Sequence, residues 1–198
     1  MLTRREILVA GAASAVVVGG VGVGVGLPRE RFVPAGYFPN VLLETHDGRL
    51  VRFYDDLVKD KVVAINMMYA NCEGICPRMT SNLLLVQEQL GDRLGRDVFL
   101  YSITLKPTED TPAMLRRYVE MQSVAPRWPF LTGAPKDVER IRRRLGFFDR
   151  DPIVDQDKTQ HTGFVRIGNE RLDRWSMAPA LGKPDQITAS ILRLSAAG

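Results

Sequence analysis

The chain has two cysteines, four residues apart in Asn71-Cys72-Glu73-Gly74-Ile75-Cys76-Pro77. They follow the apolar run Val62-Val63-Ala64-Ile65-Asn66-Met67-Met68-Tyr69, and a helix-like segment comes after them. By the chain-entropy relation a disulfide across so short a loop stabilises by roughly 2 kcal/mol, against about 4.7 for a 100-residue loop. Stability is a weak reason for such a pair, and chemistry a better one. A helix N-terminus carries partial positive charge, which lowers a thiol pKa and favours the thiolate that attacks disulfides and binds metals.

The compartment is legible at the other end of the chain. Thr3-Arg4-Arg5-Glu6-Ile7-Leu8 is a twin-arginine pattern, and the Gly/Ala/Val-rich stretch 7–27 carries no charge. A basic start and an uncharged apolar core predict a signal segment or membrane anchor over 1–28. The stretch is long enough to span a bilayer, but its glycine content suits the twin-arginine route better. Ala13-Ser14-Ala15 has the small-residue spacing of a cleavage site, and without cleavage the segment remains as an inner-membrane tether. Residues 29–39 read as a linker and 40–198 as one domain in the periplasm. There a lone cysteine pair is redox-active, metal-bound or oxidised.

The formal charge of +4 and pI near 9.3 raise the question of nucleic acid. The basic residues are mostly dispersed. Their densest cluster, Arg140, Arg142, Arg143 and Arg144, lies on a helix whose apolar stripe is Val138, Ile141 and Leu145. That pattern predicts a solvated helix face and no nucleic-acid site. Such a cluster suits an anionic membrane or an acidic partner.

The elements that must position the thiols follow from periodicity. A hairpin is expected over 41–53 around Asp47-Gly48, with His46 as a turn residue. The run 62–69 reads as a central strand covered on both faces. Met79, Leu83, Val86, Leu90 and Leu94 recur at helical spacing, with Gly95 as the stop. A second buried strand is expected over 98–103, then a helix capped by Thr111-Pro112. A minor strand at Phe130-Leu131 and a basic helix over 136–145 come next. A polar loop over 149–160 leads to His161, then to a hairpin turning at Gly168-Asn169 and a last helix from Pro184.

A strand-helix-strand unit requires parallel pairing with a crossover helix, and the closing hairpin adds antiparallel strands. The class expected is α/β: a thioredoxin-like sandwich with an N-terminal β-hairpin and a helical insertion. In that topology the loop entering the closing hairpin faces the end of the first core strand, so His161 is expected opposite Cys72 and Cys76. Two thiolates and an imidazole suit Cu(I), or Cu(II) with a further oxygen or nitrogen donor. Zinc also accepts these atoms, but its structural sites want four protein ligands. Met67 and Met68 are expected to be packing residues. Asp155 and Asp157 read as solvated loop carboxylates, with support of His161 as the alternative. A thioredoxin-superfamily peroxidase would want threonine where Tyr69 stands.

At these residues the chain resembles the SCO/SenC family of copper-binding assembly proteins for cytochrome c oxidase. Met68-Tyr69-Ala70-Asn71-Cys72-Glu73-Gly74-Ile75-Cys76-Pro77 is similar to that family's aromatic-x-x-C-x-x-x-C-P signature. Tyr101-Ser102-Ile103 with Pro107-Thr108-Glu109-Asp110-Thr111-Pro112 is similar to its second signature, and His161-Thr162 stands at its ligand histidine. The similarity covers about residues 40–195. It implies one copper ion held by Cys72, Cys76 and His161, and delivery to the binuclear copper centre of the oxidase. The implied partners are the copper-receiving subunit of the oxidase and a periplasmic copper chaperone or thiol reductase. The membrane joins them where the leader is uncleaved. Lys106 departs from the family, where many relatives carry aspartate. The alternative class is a thiol-disulfide oxidoreductase using Cys72 and Cys76 on a partner's cysteines. The C-x-x-x-C spacing and His161 favour copper.

Overall fold

A computed structural model describes residues 36–157 and 163–196. Residues 1–28, expected as a signal segment or anchor, residues 29–35 of the expected linker, and His161 lie outside the described residues. The strands are β1 (Leu42–Thr45), β2 (Leu50–Arg52), β3 (Val62–Met68), β4 (Val98–Thr104), β5 (Phe130–Gly133), β6 (Phe164–Asn169) and β7 (Arg174–Pro179). Among the described residues they form one sheet in the order β2-β1-β5-β4-β3-β6-β7. β3 is central, parallel to β4 and antiparallel to β6.

Every side chain of β3 is buried, as a strand covered on both faces requires. Alternate residues go to opposite faces. Val62, Ala64 and Met68 pack with helices α1 (Ile75–Leu90), α2 (Pro112–Met121) and α5 (Pro184–Ser195). Val63, Ile65 and Met67 pack with α3 (Pro135–Leu145) and with a single π-helical turn, Phe53–Val58. The unit β3-α1-β4-α2 followed by β6-β7-α5 is the thioredoxin-like sandwich expected, with the β1–β2 hairpin ahead of it.

Two local signals act as their chemistry predicts, whereas the stop expected at Gly95 falls at Gly91, where α1 ends and a 3-10 turn, Gly91–Arg93, takes over. Thr111 Oγ1 accepts the Met114 N–H at 3.3 Å as the cap of α2, and Pro112 fills the first turn. Gly146 ends α3 at φ +85°, a left-handed position where glycine has no Cβ penalty.

Several expectations are corrected. The strand expected at Phe130-Leu131 is present but longer and central: β5 pairs antiparallel with β1 and parallel with β4, joining the hairpin to the core. His46 serves that junction, its Nδ1 accepting the Phe130 N–H at 3.2 Å. The Gly168-Asn169 turn is the end of β6, and the chain turns after it. A β-carbon on Gly168 would lie 2.1 Å from Trp175 Cε3, so the missing side chain admits the indole onto the strand. Phe38, expected in the linker, is buried against Phe53 and Trp175.

The basic helix and the polar loop also differ from the reading. Part of the loop is a short helix, α4 (Pro152–Gln156), capped by Asp151. Arg142 and Asp155 are not solvated, being 1% and 6% exposed. The Arg142 guanidinium makes paired bonds to Asp155, at 2.7 and 2.8 Å, and to Glu139, at 2.8 and 2.9 Å. It also donates to the Phe147 carbonyl at 2.6 Å. A buried charge persists only when paired and hydrogen-bonded in this way.

Candidate metal centre

Strand β3 delivers the chain to the site, and Leu105 N–H donates to the Met68 carbonyl at 2.7 Å just past its last pair. The chain then leaves the sheet through Tyr69 and Ala70 and enters α1 at Ile75. Helix α1 has no side-chain cap from the residue before it. The Cys72 sulfur takes that place, accepting the Cys76 backbone N–H at 3.4 Å and a backbone bond from Gly74. Pro77 costs nothing here, because a first-turn N–H has no intrahelical partner.

Both cysteines are free thiols, Cys72 7% exposed and Cys76 fully buried. The Cys76 thiol and the Tyr69 hydroxyl lie close enough to Cys72 to act on its charge. Burial pushes the Cys72 thiol up, but bonds from Cys76, Tyr69 and the two backbone amides outweigh it and hold its pKa below the ordinary value. Cys76 is pushed up to about 12, first by burial and then by its bond to Cys72. The outer sulfur is therefore the better thiolate and nucleophile, and the inner one is held as a thiol.

The surrounding shell is built from three elements. Asp110, on the loop after β4, accepts the Ala70 N–H at 3.1 Å and a hydrogen bond from the Thr104 hydroxyl. Lys106 lies 4.8 Å from the centre of the Tyr69 ring and pairs with Glu109 at 3.4 Å. Tyr118 of α2 bonds Thr80 of α1 at 2.8 Å. Burial first, then the charge of Cys76 and Cys72, push its hydroxyl up to about 12. Met68 packs in the same cluster as both cysteines, whereas Met67 points to the other face of the sheet.

Among the described residues no three His, Cys, Asp or Glu side chains converge to hold a metal ion. The segment 158–162, with His161, lies outside them, but its two flanks come to the thiol loop. Asp157 is close enough for its charge to act on Tyr69. A β-carbon on Gly163 would lie 3.6 Å from Ile75 Cδ1, next to Cys76. Asp110 is the residue that motif reading quoted without assigning a task, since its bond to Ala70 spans 40 positions. Asp155, considered as support for His161, is a partner of Arg142 and Arg143 instead.

The SCO1/SenC family pattern matches residues 41–196. The SCO1 protein homolog of Bacillus subtilis is 30% identical over 91 residues, 46% of each chain. This chain spans about half the length of the curated relatives it matches. Among solved structures, yeast Sco1 with copper bound superposes with a TM-score of 0.62 at 20% identity, covering 79% of this chain and 90% of that one. BsSco, described as a member of the Sco family of cytochrome c oxidase assembly proteins with a disulfide switch, gives 0.61 at 21% identity. It covers 80% of this chain and 92% of that one. At these identities the likeness shows the fold.

Proposed function

We propose that this chain, which belongs to the SCO1/SenC family, is a periplasmic copper metallochaperone. It takes one copper ion on Cys72, Cys76 and His161 and passes it to the copper-receiving subunit of cytochrome c oxidase. The observation that carries this reading is the pair of free, buried thiols, with the two flanks of residues 158–162 beside Tyr69 and Ile75 of the loop that holds them. Sulfur and imidazole donors match copper as cargo, and loading it releases thiol protons. The copper-bound relative and the oxidase-assembly relative support the same assignment. In this reading residues 1–28 are the twin-arginine leader or tether, 29–39 the connection, and 40–198 the copper-binding domain.

The unequal thiols favour a second reading, a thiol-disulfide oxidoreductase. The Cys72 thiolate would attack a partner's disulfide to form a mixed disulfide. Cys76 would then give up its proton, attack Cys72, and release the partner as a dithiol with Cys72–Cys76 oxidised. His161→Ala separates the two. Loss of a direct ligand should weaken copper binding by at least the roughly 10–100-fold typical of outer-contact losses, and impair oxidase assembly. A reductase needs only the thiols and would keep its exchange rate. Parental copper binding and oxidase activity in that variant would replace the first reading with the second.

A further inference from the structure

A second built feature lies on the α3 face, formed by the C-terminal turn of that helix and the first described residues of the domain. Arg140, Arg143 and Arg144 line a cleft of about 460 Å³, walled by Tyr37 and Phe148. The Arg144 guanidinium lies 5.0 Å from the Tyr37 ring centre and that of Arg143 5.8 Å from Phe148. Tyr37 is itself fixed, its hydroxyl donating to the Arg144 carbonyl at 3.2 Å. Stacking holds a guanidinium plane while leaving its N–H edge for a ligand.

The charges differ in how far they are already engaged. Arg143 is tied to Glu139 at 2.7 Å and Asp155 at 2.8 Å. Arg140 has one long pair, to Asp137 at 3.5 Å. Arg144 is exposed and makes no ion pair or side-chain hydrogen bond among the described residues. Among the described residues no carboxylate lines the cleft. The helix dipole favours cations in this last turn, which accounts for their charge but not for two aromatic walls around an open cleft.

We propose that this cleft binds the phosphate of an anionic membrane lipid. Charge complementarity supplies the first argument, since planar guanidinium groups match phosphate oxygens. The length of chain ahead of it supplies the second. Gly36, at the cleft, is nine residues after Leu27, the end of the uncharged stretch. Nine residues reach at most about 30 Å. This rests on the reading of 1–28 as a retained leader, which would hold the cleft within reach of the headgroups. Docking there would fix which face of the domain is turned from the membrane.

The test uses the full chain, partitioned between buffer and vesicles of phosphatidylcholine alone or with phosphatidylglycerol. The apolar leader acts on both vesicles and its Arg4 and Arg5 raise the ratio equally in every variant, so the fall in the ratio on substitution reads the cleft, and the neutral-vesicle affinity reads the apolar leader separately. Arg140→Gln and Arg144→Gln should each lower the ratio by about fivefold, the contribution of one cation at an anionic surface. Arg193→Gln, the same charge removed from an exposed position on α5, should leave it unchanged. Three results overturn the proposal: no ratio above one in the parent, an equal fall for Arg193→Gln, or abolition of the ratio by inorganic phosphate at the lipid phosphate concentration.

Discussion

Asp110 accepts the backbone N–H of Ala70 at 3.1 Å, and so pins the loop before the first cysteine to the loop after β4. The carboxylate is 1% exposed and also takes the Thr104 hydroxyl, whose oxygen accepts the Lys106 N–H at 2.9 Å. The two loops that meet at the ends of β3 and β4 therefore move as one. A buried carboxylate would be a poor choice for stability alone. Its place here is explained by what it holds still.

Asp110→Ala removes that acceptor and unties the part-buried Ala70 N–H from the loop after β4. The reduced variant should lose about 10–100-fold in Cu(I) affinity, the usual effect of losing an outer contact. Asp110→Asn keeps an acceptor oxygen in the same place and should lose less. Competition with a Cu(I) chelator measures both, and parental affinity in the alanine variant would remove Asp110 from the account.

The two thiols should be separable by pH. Cys72, with its pKa held below the ordinary thiol value, should be alkylated first, and its rate should rise at lower pH than that of an exposed cysteine. Cys76, near 12, should stay unmodified until the protein unfolds. Tyr69→Phe deletes one bond to the Cys72 thiolate, so its pKa should move back up. Alkylation near neutral pH should slow by about fivefold, the worth of one ordinary hydrogen bond. Equal labelling of both cysteines by mass spectrometry would contradict this assignment.

Much of the frame was legible because it rests on short-range chemistry: the apolar run of β3, the spacing of α1, the Thr111-Pro112 cap. The thiol pair and the thioredoxin-like order followed from those. What escaped depends on distant pairs. Nothing local to Arg142 announces Asp155, 13 residues on, although Glu139 at i−3 is the one hint that its charge was spoken for. Asp110 sat in a motif, but its partner is 40 residues away. Phe130-Leu131 looked minor because two residues carry no periodicity, and the importance of β5 comes from having neighbours on both sides.

Asp155→Ala should destabilise the domain by about 2 kcal/mol, since it leaves two N–H groups of the buried Arg142 guanidinium short of an acceptor, with Glu139 as the remaining carboxylate. The Arg142 guanidinium holds the Asp155 carboxyl well below the usual carboxylate range. A lowered folded pKa contributes stability that is present above the unfolded value and lost as pH falls through the folded one. The network should therefore survive mild acid. Urea unfolding of parent and variant should differ fully near neutral pH and converge only in strong acid. A difference already gone at pH 5 would refute the pairing.

The central claim is that Cys72 and Cys76 hold copper as thiolates. The direct measurement is Cu(I) titration of the full chain, reduced and then oxidised to the Cys72–Cys76 disulfide, against a chromophoric chelator. The account predicts one tightly bound copper per reduced chain and none per oxidised chain, because the disulfide has no thiolate to offer. Tight Cu(I) binding by the oxidised chain would contradict it.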